Sequence, residues 1–345
     1  MSSQYQAVQW NRQKRIYDLL LISGVALYLV VFAVVTEHYF PYVTEEILIM
    51  RAFGTLAFLL LHLILCIGPL CRLNPKFLCL LYNRRHMGVT CFFLGLIHAV
   101  MVVATYHAGG DINPIASIFV TSRLTGSLAG VPFQPFGFFA LCILFLMAAT
   151  SHDFWLSNLT PPIWKTLHML VYAAYFLLVL HVTFGVLQGE AGLLYSVTMA
   201  AGLLTVIALH KAAAWREKRN DRELEGLRGD GFYDACSVDD IPENRARVVC
   251  LSGERVAIFK YDGKISAVSN VCQHQNGPLG EGKIVFGCIT CPWHGYQYRP
   301  ETGESPPPFK ERVATYDVRV QNGRVFVFPK PKMDGMSAPA ALTRQ

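Results

Sequence analysis

"CQHQNGPLGEGKIVFGCITCPWHGYQYRPETGE", Cys272 to Glu304, holds two short ligand motifs: Cys272-Gln-His274 and, after 16 intervening residues, Cys291-Pro-Trp-His294. Two thiolates and two imidazoles can hold one zinc ion tetrahedrally. Zinc sites, however, usually keep the cysteines in one motif and the histidines in the other. Alternating Cys-x-His with Cys-x-x-His suits two loops, each giving a thiolate to one metal ion and an imidazole to a second. A further cysteine, Cys288, stands three residues before Cys291. By spacing Cys291 is the ligand and Cys288 the spare, a buried strand cysteine.

The flanks of this stretch read as β-structure. "RVVCLSGERVAIFKYDGKISAVSNVC", Arg247 to Cys272, has short β-branched runs broken by Ser-Gly and Asp-Gly, a meander of hairpins. "TYDVRVQNGRVFVF", Thr315 to Phe328, repeats the pattern about Asn322-Gly323. Residues 231–331 are therefore expected to form a small all-β domain. The end of the chain, 332–345, is expected to be disordered. Residues 216–230, charged and ending in glycines, read as a helical extension leading into a flexible linker.

Further out, the composition changes. The chain of 345 residues is 53% hydrophobic and 16% charged, against about 25% charged in ordinary soluble domains. Six apolar segments predict membrane-spanning helices: roughly Ile16–Val35, Ile47–Ile67, Val89–Thr105, Phe136–Ala149, Ile163–Leu187 and Leu193–Ala214. The fourth is short. The expected fold is a six-helix transmembrane bundle over 16–215, after a cytoplasmic N-terminal segment at 1–15, followed by the β-domain. The net charge of +6 sits mainly at the ends of apolar segments, which points to a membrane surface and not to nucleic acid. Arg12, Lys14, Arg15, Arg72, Lys76, Arg84, Arg85, Lys165, Lys211, Arg216, Lys218 and Arg219 fall on one side; Glu37, Glu45, Glu46, Asp111 and Glu190 fall on the other, with only Arg51 and Arg123 as cations there. Positive loops stay inside, so both termini and the β-domain are expected in the cytoplasm of a multi-pass protein (of the inner membrane, in a bacterium). The first apolar run is too long for a cleaved signal peptide.

Histidines inside a bilayer are functional candidates. His62, His98, His168 and His181 lie within or at the edges of the spans. Neutral imidazoles are axial ligands for haem iron. His168 and His181 are 13 residues apart on one segment, so ~20 Å along a helix, with their rings ~140° apart around it. They are expected to face different neighbours, or the helix carries a bulge. By depth His98 meets His181 on the outer side, and His168 needs His62 or His86 on the cytoplasmic side. Gly88 and Gly95 are expected to let a flat ring approach. His38, His107, His152 and His210 read as interfacial.

Two resemblances then appear. "NRRHMGVTCFFLGLIHAV" (83–100) and "WKTLHMLVYAAYFLLVLH" (164–181) resemble the third and fifth helices of the ferric reductase-like transmembrane domain. That family includes ferric reductases, NADPH oxidases and the haem subunit of the bacterial methionine sulfoxide reductase system, to which 16–215 is most similar. It implies b-type haem, one or two, at these histidines. His86 and His98 stand closer together than the paired histidines of the oxidases. The tail resembles the Rieske family, which implies a 2Fe-2S cluster on Cys272, His274, Cys291 and His294. In the Rieske proteins of cytochrome bc complexes an extra cysteine in each loop forms a disulfide; here Gln275, Asn276 and Gly277 follow His274, and Cys288 has no mate. Family hydroxyl donors to the cluster correspond to Tyr298 and to Tyr296, the latter replacing a serine. Pro306 to Pro308 correspond to a shielding loop.

The resulting expectation is a membrane-bound one-electron relay between a cytoplasmic Rieske cluster and intramembrane haem. No Gly-x-Gly-x-x-Gly fingerprint or flavin domain is present, so a reductase or a quinone must donate to it and an unnamed acceptor must receive. No residue is expected to be catalytic. Two rival readings are a haem-free, membrane-anchored ferredoxin serving a membrane oxygenase, and a self-contained oxygenase. The latter lacks room for its iron domain.

Overall fold

The computed structural model describes residues 12–81, 83–120, 132–151, 155, 159, 161–185, 193–221, 229–274, 277–293, 295–307, 309–332 and 336–343. The expected ligand His294 and the interfacial His152 lie outside them. The chain divides into two compact units, 12–67 with 83–209, and 68–82 with 210–345 plus the N-terminal residues.

The first unit is helical: α1 (Arg12–Tyr39), α2 (Glu45–Leu73, which ends in the second unit), α3 (Arg84–Tyr106), α4 (Pro114–Val120), α5 (Gln134–Ala149), α6 (Pro161–Met169), α7 (Val171–Phe184) and α8 (Leu193–Asn220, whose last turns also belong to the second unit). Among the described residues five stretches are long and apolar enough to cross a membrane. They are Lys14–Tyr39, Glu45–Leu73, Arg84–Tyr106, Ile163–Phe184 and Ser196–Arg219. The remaining apolar stretch, α5, has 16 residues, fewer than the ~20 of a full crossing. A proline in its first turn starts it, where a missing N–H costs nothing. Leu19, Leu20, Leu27 and Val30 of α1 are all more than half exposed, which only a lipid surround makes favourable for such side chains. In contrast Leu60, Leu61 and Leu65 of α2 are buried, as are Phe92 of α3, Leu144 of α5 and Ala174 of α7, which pack as one cluster.

The expected discontinuity between His168 and His181 exists: α6 stops at Met169, and Leu170 closes a tighter turn with Leu167 before α7 begins. The two histidines do face different neighbours.

The β-domain of the second unit is built from two-residue hairpins. Ser252-Gly253, Asp262-Gly263 and Asn322-Gly323 each have two positive φ angles, the geometry whose twist matches the flanking strands. They join β2 (Arg245–Leu251) to β3 (Glu254–Tyr261), β3 to β4 (Lys264–Ser269), and β9 (Val318–Gln321) to β10 (Arg324–Val327). A fourth such turn, Phe286-Gly287, joins β5 (Lys283–Val285) to β6 (Cys288–Thr290). β1 (Tyr233–Ser237) pairs with β10, and β7 (Gln297–Tyr298) with β6. β8 (Thr315–Tyr316) pairs with β4. Strand β3 is buried on both faces. Val256 and Ile258 face a core shared with Val320, Val325 and Val327; Ala257 and Phe259 face a second core that holds Cys272, Cys291, Tyr296 and Tyr298.

One expectation needs correction. The tail is not disordered throughout: Ala341–Leu342 form β11 against Ile265 and Lys264, Thr343 N donates to Gly263 O, and Ala338 is buried. An open edge of β4 takes the extra strand, so its backbone groups are paired. The helical extension expected after the last span is present as far as Asn220, the end of α8, and 222–228 lie outside the described residues. Arg255 of β3 forks onto Asp221 (2.6 Å twice) and also donates to Glu217 (2.6 Å), tying the β-domain to the end of α8. Arg72, at the end of α2, lies 4.0 Å from Glu281.

Candidate functional site

Two loops carry the motif residues of the β-domain. The first leaves β4, is held by Asn270 (its side chain accepts from Gly280 N, 2.7 Å) and closes through Cys272 N to Gly277 O (2.9 Å). The second leaves β6 and closes through Cys291 N to Tyr296 O (2.7 Å) and Gly295 N to Cys291 O (2.9 Å). The loops meet. A Cβ on Gly277 would stand 2.7 Å from Cys291 Sγ and 3.2 Å from the Trp293 ring, so only glycine permits this approach. Cys272 and Cys291 are 1% and 2% exposed. Among the described residues no three His, Cys, Asp or Glu side chains converge as a metal-holding group, and His294 is not one of those residues.

Aromatic side chains surround these loops. Tyr298 is fully buried, accepts from Gln273 N (3.1 Å) and lies 3.3 Å from Cys272 Sγ. A metal-bound Cys272 thiolate has no proton to give, so the Tyr298 hydroxyl would then be the donor of this pair. Burial, then the neighbouring Cys272, push the Tyr298 phenol well above its ordinary pKa, so it remains a donor. Tyr296 stacks on His274 (centroids 4.6 Å apart, planes 9° apart), and its hydroxyl donates to Glu311. Phe309 closes on the other edge of Tyr296 at 4.8 Å. Cys288 sits on β6 opposite Val285. Burial raises its thiol pKa, with Arg299 partly opposing.

In the helical unit the histidines separate into distinct settings. His98 and His181 come together, ring centroids 6.3 Å apart and planes at 81°. His98 Nδ1 bonds Met50 O (2.8 Å) and His181 Nδ1 bonds Phe133 O (2.9 Å), so the Nε2 of each is the nitrogen that could bind a metal. His62 and His168 are not brought to one another in this way. His62 bonds Phe58 O through Nδ1 (2.8 Å) and the Tyr175 hydroxyl through Nε2 (3.0 Å). His168 stacks on Trp164 (3.8 Å), with Nδ1 on Trp164 O and Nε2 3.5 Å from Ser151 Oγ. His86 bonds Asp18 (2.9 Å), which also accepts from Asn83 (2.5 Å). Three glycines on neighbouring helices admit the histidine rings. A Cβ at Gly54 would lie 2.7 Å from His98, one at Gly137 2.8 Å from His181 and one at Gly202 2.8 Å from His62. By contrast, nothing lies within 4 Å of such an atom at Gly88, and only Leu141 at Gly95. No signal along the sequence distinguishes these glycines, because each belongs to a different helix from the ring it faces.

Comparison with known proteins adds the following. The Rieske 2Fe-2S domain family matches residues 231–317, and the ferric reductase like transmembrane component family matches 53–179. The ferredoxin subunit of biphenyl dioxygenase from a Pseudomonas species is 35% identical over 99 residues, 28% of this chain and 90% of that protein. The chain belongs to the Rieske 2Fe-2S family. A cholesterol 7-desaturase of Xenopus laevis is 32% identical over 122 residues, a third (33%) of this chain, which spans 27% of the desaturase. Among solved structures, the complex of oxygenase and ferredoxin in carbazole 1,9a-dioxygenase matches at 25% identity, covering 30% of this chain and 97% of the matched one, TM-score 0.28.

This Rieske protein thus joins a ferric reductase-like transmembrane domain to a Rieske domain, as a multi-pass membrane protein of electron-transfer oxidoreductase type. Its Rieske loops fit a 2Fe-2S cluster: two buried sulfurs, an imidazole held by stacking, a phenol aimed at sulfur, and a glycine that keeps space beside Cys291. The cluster supplies a one-electron carrier. Cys272, His274 and Cys291 would hold it, Tyr296 would keep the His274 ring in place and Tyr298 would donate to the Cys272 sulfur.

Proposed function

We propose that this protein moves single electrons between a cytoplasmic Rieske cluster and b-type haem within the membrane. Cys272 and Cys291 bind one iron of the cluster, and His274 and His294 bind the other. His98 and His181 hold the haem. The observation that carries this reading is the His98–His181 pair: two facing imidazoles 6.3 Å apart, each with Nδ1 on a backbone carbonyl. That tautomer presents Nε2 to iron, and a glycine behind each ring fixes its depth. The same geometry favours one haem, since His62 is engaged by Tyr175 and His168 by Trp164. Six crossings, counting Gln134–Ala149, return both termini to the cytoplasmic side, in keeping with the positive loops. The domains run 16–215 and 231–331, with 216–230 between them. Donor and acceptor are separate redox proteins or a quinone. The ferredoxin relatives serve dioxygenase systems by name, which supports a role in passing electrons onward and not in chemistry on a substrate.

The test uses purified full-length protein. One b-type haem per chain is expected, with its spectrum lost or markedly altered in His98→Ala and in His181→Ala but intact when exposed His38 is replaced. Reduction of the cluster should be followed by haem reduction at a rate independent of protein concentration. A protein that carries the cluster but shows no b-type absorbance would favour the haem-free anchored ferredoxin instead.

A further inference from the structure

Tyr296 is 2% exposed although it carries a hydroxyl, and it packs against three other rings. His274 lies flat on one face (centroids 4.6 Å and planes 9° apart), Phe309 meets it edge-on at 4.8 Å, and Tyr298 stands tilted at 5.6 Å. A phenol buried this deeply needs a partner for its O–H, and it donates to the Glu311 carboxylate. Glu311 is itself held in place. Its Oε2 also accepts from Lys310 N (3.0 Å), and its backbone O accepts from Ser305 N (3.0 Å). The loop that presents it is closed by Arg299 N to Glu304 O (2.8 Å) and Val313 N to Gly303 O (2.9 Å). At Gly303, with φ at +68°, an added Cβ would run into Val313 O, so only glycine lets the two arms come this close. Glu311 therefore reaches Tyr296 from a braced third segment, far along the chain from His274.

We propose that Glu311 is a positioning residue for the cluster ligand His274 and acts through Tyr296. The inference rests on the Rieske reading above, in which His274 binds iron. An imidazole held by iron through one nitrogen can still turn about that bond, and the flat face of Tyr296 limits the turn. Tyr296 keeps its own orientation because its hydroxyl is anchored, and a bond to a carboxylate is stronger than one to a neutral acceptor. Partners behind a metal ligand commonly fix its orientation in this indirect way. The same carboxylate places a negative charge one hydrogen bond and one ring contact from the iron ligand. Such a charge opposes the arrival of an electron, so Glu311 also keeps the cluster potential low.

The test uses purified full-length protein, with the Rieske electron paramagnetic resonance signal, its decay in excess iron chelator and the cluster midpoint as readouts. Glu311→Ala should shift and broaden the signal and speed its decay about tenfold or more, the usual loss for a hydrogen bond to a charged group. Tyr296→Phe, which keeps the buried ring and removes one oxygen, should do the same without opening a cavity. Because both changes break one link, the double variant should decay no faster than the worse single one. Glu311→Gln still accepts from the phenol, so it should keep the signal's shape and raise the midpoint. Glu304→Gln, on the same loop but paired with Arg312 at 3.2 Å, should leave shape and decay unchanged. A normal signal and decay in both Glu311→Ala and Tyr296→Phe, fully additive effects, or a lowered midpoint in Glu311→Gln would overturn the inference alone. A wild-type protein with no Rieske signal would instead overturn the cluster reading, and this inference with it.

Discussion

At the scale of single residues, the consequential atom is the Tyr298 hydroxyl. It takes the Gln273 N–H and lies 3.3 Å from Cys272 Sγ, to which it would donate once Cys272 is a cluster thiolate. Such a bond strengthens as the sulfur gains charge on reduction. Removing ~1.4 kcal/mol of it lowers a one-electron potential by ~59 mV. Tyr298→Phe should therefore shift the cluster midpoint down by tens of millivolts while the phenyl ring still fills the core; a redox titration checks this. In the cytochrome bc type a serine supplies a further donor, but here Tyr296 spends its hydroxyl on Glu311, away from the loops. The wild-type midpoint should accordingly sit below the upper limit of the roughly −150 to +300 mV range of such centres. The choice between cysteines is testable in the same samples. Cys291→Ser should abolish the Rieske resonance and Cys288→Ser should preserve it, since Cys291 is buried against Gly277 of the other loop while Cys288 lies on strand β6.

At the scale of elements, glycines set how closely the membrane helices carry their histidines. In α5 the added methyl of Gly137→Ala would meet His181 at 2.8 Å, and the ring would have to move. Overpacking of this kind costs about 1–3 kcal/mol. The expected outcome is a protein that still inserts but has a weakened or shifted b-type absorbance. Gly24→Ala in the lipid-exposed α1 meets nothing within 4 Å and should leave the spectrum alone, its helix gaining up to about 1 kcal/mol. Comparing the absorbance of the two variants separates a positional effect from a general effect of losing glycine.

At the scale of the whole molecule, the β-domain is fastened at Arg255 and Glu281. Burial pushes the Glu281 carboxyl up to about 7; Arg72 opposes this, Glu217 reinforces it and Arg255 opposes it. Because the folded value lies above the unfolded one, the folded state binds the extra proton between them. Stability linked to this group is complete below about pH 4.5 and declines as pH rises towards 7. The slope is at most about 1.4 kcal/mol per pH unit and smaller after screening. Thermal loss of the visible circular dichroism of the cluster should thus occur at lower temperature at pH 7.5 than at pH 5.5, through this group, and Glu281→Gln should flatten that difference. An unchanged pH dependence in the variant would show that Glu281 is ionised throughout.

What could be read along the chain was what depends on near neighbours. The ligand spacing of Cys272, His274, Cys291 and His294, the apolar runs, and the Ser-Gly, Asp-Gly and Asn-Gly turns are local patterns, because metal loops, bilayer crossings and two-residue hairpins are governed by a few adjacent residues. Phe286-Gly287 adopts the same turn without its usual polar residue, and was not legible for that reason. The depth argument that set His98 against His181 also needed only helix rise and loop charge. Other features required the folded chain. Which glycine backs which histidine, the bond from Tyr175 to His62, the stacking of Tyr296 on His274 and the return of Ala341–Leu342 to β4 all join residues far apart in sequence. Such contacts are decided by how elements pack. The short patterns that code for each element carry no term for the neighbour it will meet.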